Sequence, residues 1–157
     1  MSKNISISQN FITSQRILKR IIKLSTIEKN DMVIEIGTGK GHLTRALCEE
    51  CGYLYSVEID KALFEKTQSK LSNIPNLQLI RGDFLNYKLP SHGGYKVFAN
   101  IPYFITTKII EKLTEAPNPP QDIWLVVEKG AAKRFMGIPK ETGKSLLLKV
   151  NWGVNKL

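Results

Sequence analysis

Hydrophobic and polar positions follow two alternating patterns along this chain. Short apolar runs of five or six residues, typical of buried strands, alternate with segments in which apolar residues recur every three to four positions, typical of helices. The runs predict strands over residues 32–36, 53–58, 77–81, 95–99 and 123–128, and the segments predict helices over 14–24, 42–51, 61–71 and 106–115. Strand and helix in alternation favour parallel strands joined by helical crossovers, with both sheet faces covered. The expected fold class is therefore α/β, with a doubly wound, mostly parallel sheet.

The first predicted helix, over residues 14–24, is amphipathic with a basic outer face. Either Thr13 or Ser14 could cap its N-terminus. Its apolar side consists of Ile17, Leu18, Ile21, Ile22 and Leu24. Its basic side consists of Arg16, Lys19, Arg20 and Lys23.

Length and charge bound the class of protein. At 157 residues and 42% hydrophobic content, the chain fits one domain with a single core. The net charge of +9 divides into +5 over residues 1–30, −2 over 31–128 and +6 over 129–157. Two basic ends suggest a surface that faces phosphates, although a solvated basic surface remains the alternative. No apolar run approaches the roughly 20 residues of a membrane span, and the first residues lack a signal-peptide pattern, so we expect a cytoplasmic protein.

A glycine-rich turn follows the first predicted strand. Gly37, Gly39 and Gly41 are spaced G-x-G-x-G, and His42 stands where a dinucleotide-binding fingerprint has its last glycine. This spacing argues against NAD and favours S-adenosylmethionine (SAM), whose tail carries no phosphate but needs a close backbone turn. Glu58 ends the second strand, where an acid accepts hydrogen bonds from ribose hydroxyls, and Asp83 follows the third, where a carboxylate can accept from the adenine amine. A tight turn without a ligand is the alternative interpretation.

The tetrapeptide Asn100-Ile-Pro-Tyr103 follows the fourth predicted strand at the same edge of the sheet. The Asn100 side chain and the Ile101 carbonyl can accept the two hydrogens of an aromatic amine and so direct its lone pair toward a methyl group. Pro102 shapes the turn, and Tyr103 can stack on the base. A base within a duplex cannot reach such a pocket, so a flipped or single-stranded nucleotide is implied. The alternative is an ordinary Asn and Pro turn before a helix.

The two cysteines, Cys48 and Cys51, form a Cys-x-x-Cys near the end of a predicted helix. A redox pair usually lies at a helix N-terminus, where the helix dipole lowers the thiol pKa. A zinc site with His42 or His92 is a further alternative. We expect two reduced, partly buried thiols and no metal site.

With these motifs, the chain resembles the Erm family of ribosomal RNA adenine N6-methyltransferases, which confer macrolide, lincosamide and streptogramin B resistance. The matching segments, in order, are Ser8-Gln-Asn-Phe11, Glu35 to Thr44, Glu58-Ile-Asp60, Gly82-Asp83, Asn100 to Tyr103, Glu128-Lys-Gly130 and Ala132-Lys-Arg134. The housekeeping small-subunit (16S) ribosomal RNA adenine dimethyltransferases look similar, but typically have Leu before the Pro-Tyr pair.

The resemblance implies a Rossmann-like class I SAM-dependent methyltransferase core over residues 1–157, acting on an adenine N6 in large-subunit (23S) ribosomal RNA. The SAM pocket would be lined by Asn10, Ile12, Gly37, Gly39, Glu58, Asp83 and Asn100. Asn100 and Tyr103 would hold the target adenine, and Lys133 and Arg134 would contact RNA. The charge count, independently of the resemblance, adds Arg16, Lys19, Arg20 and Lys23 as RNA contacts, with the ordinary basic face of a soluble amphipathic helix as the alternative.

Members of that family continue well beyond this length, so we expect the chain to lack the family's last strands and helical C-terminal domain. The rivals are the housekeeping 16S dimethyltransferase and a non-catalytic RNA-binding relative. A DNA adenine methyltransferase fits less well, because its tetrapeptide usually has Pro-Pro directly after the first residue.

Overall fold

The computed structural model describes residues 14–127, 129–141 and 154, with the backbone alone at Tyr103 and Ala131. Asn10 and Ile12, predicted to line the cofactor pocket, lie outside these residues. The strands are β1 (Met32–Ile36), β2 (Tyr53–Glu58), β3 (Leu77–Arg81), β4 (Lys96–Asn100) and β5 (Asp122–Val126). The α-helices are α1 (Gln15–Leu24), α2 (His42–Cys48), α3 (Lys61–Leu71), α4 (Tyr103–Thr114) and α5 (Lys129–Met136), and a 3-10 turn spans Phe84–Asn86.

The five strands form one sheet in the order β3-β2-β1-β4-β5, and every pairing is parallel. The doubly wound α/β class predicted from the sequence is therefore confirmed. The strand order reverses at β1, whose neighbours are β2 and β4, and ligands of such sheets bind at this switch point beyond the carboxyl ends of the strands. We call that end of the sheet the carboxyl edge and the opposite end the amino edge.

Alternate residues of the strands feed two cores, one on each sheet face, rather than the single core expected from the length, because the sheet lies between two layers of helices. Val33 of β1 packs with α1 and α2, through residues such as Leu18 and Leu47. Ile34, the next residue of β1, packs on the other face with α4, through Ile109 and others. Helices α1 and α4 therefore lie on opposite faces of the sheet.

Contacts at both ends of helix α1 are defined. Ser14 caps its N-terminus by accepting from the Ile17 N–H at 3.5 Å. Two residues beyond its C-terminus, the Thr26 hydroxyl donates to Asp122 Oδ2 at 2.7 Å, and Lys96 Nζ donates to the Thr26 carbonyl at 2.6 Å. Lys96 and Asp122 begin β4 and β5, so the C-terminal end of α1 lies at the amino edge.

Several boundaries differ from the sequence expectations. Helix α2 ends at Cys48 rather than Cys51, and α4 begins at Tyr103 rather than at 106. Pro102 has φ −64°, suited to starting a helix, and its carbonyl accepts from the Ile105 N–H at 3.3 Å.

Differences also occur at the strands and at the end of the described chain. Strand β4 is shifted by one residue, and β5 ends at Val126, the last residue that pairs with β4. Helix α5 was not expected, because Gly130 in its first turn weakens the helical signal.

Candidate active site

The glycine-rich turn leaves β1 in a conformation that requires glycine. Gly37, Gly39 and Gly41 all have positive φ, at 82°, 52° and 82°. A Cβ added at Gly37 would meet no atom within 4 Å, whereas one at Gly41 would lie 3.2 Å from side-chain atoms of Thr67 and Leu71. Gly41 thus allows α3 to approach the turn, while Gly37 presents bare backbone to open space at the carboxyl edge.

Glu58, at the carboxyl end of β2, holds this turn. Its Oε2 accepts from the Thr38 hydroxyl and from the Gly39 N–H, each at 3.0 Å, and its Oε1 accepts from the Asp60 N–H at 2.9 Å. The side chain is buried, with 3% of the residue exposed. A carboxylate has about four acceptor positions, so one remains on Oε1 for a ligand hydroxyl.

Asp83 lies just beyond the end of β3. An exposed apolar side chain, Ile59, lies just beyond the end of β2 and was not predicted from the sequence. Asp83 Oδ1 accepts from the Leu85 N–H at 2.9 Å, and Oδ2 lies 3.5 Å from the Asn86 amide. Ile59, between Glu58 and Asp60, is 67% exposed. An exposed isoleucine beside a buried acid gives the carboxyl edge an apolar surface on which a planar ring can lie. Its sequence signal is an apolar residue directly after the strand-ending acid.

Asn100 ends β4 beside the glycine-rich turn, because β4 pairs with β1 in the register Ile36 with Ala99. The chain then continues extended, with the Ile101 N–H donating to the Val126 carbonyl at 3.2 Å. The Pro102 carbonyl accepts from the Thr106 hydroxyl at 3.0 Å as α4 begins. Tyr103 is the first residue of α4. The backbone of all four predicted residues is thereby fixed at the switch point.

The basic residues predicted to contact RNA lie on two helices, α1 and α5. Lys133 and Arg134 are exposed on α5, and Arg134 Nη2 donates to Thr107 Oγ1 of α4 at 3.0 Å. The α1 cations lie on the opposite sheet face. Arg134 therefore lies against α4, whereas α1 packs on the other face of the sheet.

Within α1, the four cations are not equivalent. Lys23 is one residue from the C-terminal end, at the amino edge, whereas Arg16 lies seven residues earlier, about 10 Å away along the helix axis. Lys19 Nζ lies 3.8 Å from Glu49 Oε2, so its charge is partly offset. Arg20 is exposed.

Glu35 is a second residue that sequence reasoning missed. It is fully buried in β1, and its Oε2 accepts a short hydrogen bond from the Ser56 hydroxyl. Its Oε1 and the buried Thr44 hydroxyl each lack a hydrogen-bond partner of good geometry among the described residues. Burial raises the pKa of Glu35 to about 7, and the Ser56 and Thr44 hydroxyls oppose that rise. The signal in the sequence is a carboxylate inside an apolar strand run.

Cys48, the last residue of α2, and Cys51, just beyond it, are free and buried. Burial raises the pKa of Cys48 to about 12 and that of Cys51 to about 11, which keeps both thiols protonated and unreactive. Among the residues described, no three metal-ligating side chains come together. No helix in the described part of the chain is long and apolar enough to cross a membrane.

The residues at the carboxyl edge fit SAM. Open space above Gly37 admits close approach of a ligand tail, Glu58 retains an acceptor position for a ribose hydroxyl, and Asp83 Oδ2 can accept from an amine. Ile59 provides an apolar surface. A pyrophosphate would place negative charge close to the carboxylates of Glu58 and Asp83, so these residues suit a ligand without phosphates.

Comparison with known proteins agrees with this geometry. The family model described as ribosomal RNA adenine dimethylase matches residues 1–150. An rRNA adenine N-6-methyltransferase of Lysinibacillus sphaericus is 41% identical over 145 residues, which are 92% of this chain and 57% of that protein. The chain therefore spans 57% of the length of this curated relative.

Two solved structures resemble the fold. The 23S rRNA methyltransferase ErmE superposes with a TM-score of 0.72 and 30% identity, over 80% of this chain and 50% of that one. A dimethyladenosine transferase from Plasmodium falciparum superposes with a TM-score of 0.69 and 28% identity, over 78% of this chain and 45% of that one.

Proposed function

The chain belongs to the ribosomal RNA adenine dimethylase family, and from that premise we propose that it transfers methyl groups from SAM to the N6 of an adenine in 23S ribosomal RNA. The observation that carries the proposal is the pairing of β1 with β4. This pairing sets the glycine-rich turn and Asn100 side by side at the switch point, so that a methyl donor and a methyl acceptor can meet.

The residues proposed to hold SAM are those that frame the glycine-rich turn. Gly37 and Gly39 contribute backbone, the free acceptor position of Glu58 takes a ribose hydroxyl, and Asp83 takes the adenine amine. When bound, SAM supplies an electrophilic methyl group on its sulfonium. Asn10 and Ile12 stay predictions that rest on the resemblance.

The acceptor residues act by positioning. The Asn100 side chain and the Ile101 carbonyl accept the two hydrogens of the adenine amine, which turns the nitrogen lone pair toward the methyl group. Tyr103, at the start of α4, is proposed to stack on the ring, a contact worth about 1 to 3 kcal/mol that offsets the unstacking of a flipped base. Orientation of the reacting groups supplies the rate, so no residue has to act as a strong base.

The RNA partner is proposed to contact the carboxyl edge through Lys133 and Arg134 on α5 and through Arg16 on α1. The other three cations of α1 follow Arg16 toward the amino edge, and we expect them to contact phosphates farther from the target adenine, or no phosphate. They are Lys19, Arg20 and Lys23. These contacts would fix the RNA in place without reading its sequence.

The choice of 23S over 16S RNA rests on the names of the relatives. The similarity to ErmE, at 30% identity, favours 23S RNA and hence resistance to macrolide-type antibiotics. The similarity to the dimethyladenosine transferase favours the second candidate, a housekeeping 16S dimethyltransferase. Both use the same site chemistry.

The experiment compares ribosomal RNA from cells with and without the gene, digested to nucleosides and mapped for N6-methyladenine. A gene-dependent mark in 23S RNA supports the proposal, and a mark in 16S RNA alone supports the second candidate. Loss of the mark with an Asn100→Ala variant ties it to this site. SAM and RNA binding without any mark would identify a non-catalytic RNA-binding relative and refute both.

A further inference from the structure

We propose that Phe104 stacks on the RNA base next to the target adenine and thereby helps position the strand, an inference that rests on the proposed function. Phe104 is the second residue of α4 and directly follows the four predicted acceptor residues. Its side chain is 67% exposed, so it is not a core residue. An exposed phenylalanine at the mouth of a site is an apolar surface available to a planar ligand.

The geometry of α4 directs Phe104 toward the site. Side chains on a helix lean toward the N-terminus, which for α4 is the carboxyl edge of the sheet. Phe104 also lies about 100° further around the helix than residue 103. It therefore presents a second surface, displaced from the pocket at Asn100, where a neighbouring nucleotide would lie.

Cations share the face of α4 on which Phe104 lies. Lys108, one turn along on the same face of α4, is exposed. Thr107, also on this face, accepts the hydrogen bond from Arg134 at 3.0 Å, so the guanidinium of α5 is held against the same surface. Lys133 is exposed beside it.

An aromatic ring flanked by cations matches a single nucleic-acid strand, whose bases stack while its phosphates meet the charges. A hydrophobic protein partner would instead favour an apolar surface depleted of charge. The charge complementarity thus selects RNA as the occupant of this surface.

The test is a coupling measurement between Phe104 and the neighbouring base. The chain is titrated at low salt into short single-stranded RNA with one central adenine among uridines, and binding is followed by fluorescence anisotropy. Parallel oligonucleotides lack the base on the 5′ or the 3′ side of the adenine. Phe104→Ala and Phe104→Leu should each weaken binding to the intact oligonucleotide at least about fivefold, the lower end for base–aromatic stacking, whereas Phe104→Tyr should bind like the parent.

On one of the two abasic oligonucleotides, the parent chain should lose the same factor, and Phe104→Ala should cause no further loss. Tyr53→Ala is the matched control, because Tyr53 is a partly exposed aromatic residue at the amino edge, and it should change nothing. SAM affinity and melting temperature should be unchanged in all variants.

Failure of the inference and failure of the proposed function give different results in this experiment. If the parent chain binds RNA and Phe104→Ala binds equally well, or loses the same factor on every abasic oligonucleotide, the inference is overturned and the proposed function stands. If the parent chain binds neither SAM nor any RNA, the proposed function fails and takes the inference with it.

Discussion

Glu58 is expected to control cofactor affinity in two ways, directly and by holding the glycine-rich turn. Three of its acceptor positions are occupied by the Thr38 hydroxyl, the Gly39 N–H and the Asp60 N–H. A single position on Oε1 is left for a ribose hydroxyl. Glu58→Gln and Thr38→Val separate the two roles, because Thr38→Val removes one tie to the turn and leaves the carboxylate in place.

The structure sets the expected magnitudes. A glutamine has one acceptor oxygen, so it can accept either from Thr38 and Gly39 or from the Asp60 N–H, but not from all three. Its amide hydrogens then face the donors that have lost their acceptor. A hydrogen bond to a charged group contributes about 1.5 to 3 kcal/mol, so Glu58→Gln should weaken SAM binding by about 2 to 4 kcal/mol. Thr38→Val removes one hydrogen bond to the same carboxylate, but SAM binding loses only the part of its energy that holds the turn in place, so binding should weaken about 2- to 10-fold.

Isothermal calorimetry with SAM measures both effects, and circular dichroism verifies that each variant is folded. Thr114→Val is the control, because that hydroxyl bonds within α4, to the carbonyls of Ile110 and Glu111. Unchanged affinity in Thr38→Val beside a loss in Glu58→Gln would mean that Glu58 acts only as a direct ligand. Full affinity in both variants would refute the assignment of Glu58 to the cofactor.

Three further outcomes follow from the buried acid, the thiols and the basic residues. The pKa of Glu35 is raised to about 7 from 4.5, so its protonated form stabilises the folded state below pH 4.5, and up to about 3 kcal/mol of that stability is lost as the pH rises through 7. Urea unfolding at pH 5 and pH 8 should show this loss, and Glu35→Gln should remove it; an equal pH dependence in the variant would contradict the burial argument. Burial raises the pKa of both cysteine thiols, so iodoacetamide at pH 8 should modify them far more slowly in native chain than in urea, and equal rates would place them at the surface. Lys133→Ala with Arg134→Ala should lower the slope of log K against log salt for single-stranded RNA by about 0.7 for each phosphate that is no longer neutralised. Lys23→Ala should leave that slope unchanged. A lower slope with Lys23→Ala and an unchanged slope with the double variant would place the RNA at α1 instead.

The sequence alone determined the class of the fold and the edge at which the site lies. Parallel strands that are buried on both faces appear in a sequence as apolar runs, and this pattern differs from the three-to-four-residue spacing of an amphipathic helix. In such sheets, ligands bind beyond the strand ends, which is why Gly37, Glu58, Asp83 and Asn100 could be proposed as site residues from their spacing.

Element ends were less well determined, because local hydrogen bonds set them. The start of α4 depends on the Pro102 carbonyl, which accepts from both Ile105 and Thr106. Helix α5 was missed because the propensity of its first turn is weak, whereas burial of Phe135 supports it.

Only the tertiary structure decided how the parts of the site cooperate. That Glu58 holds the glycine-rich turn depends on contacts across 19 and 20 residues of sequence, and the burial of Glu35 depends on Ser56, 21 residues away. That Arg134 lies against Thr107 of α4, on the sheet face opposite α1, also depends on a contact across 27 residues. Periodicity reports which residues are buried, but strand order and the sheet face of each helix arise from packing between segments distant in sequence, so these features emerge only in the folded chain.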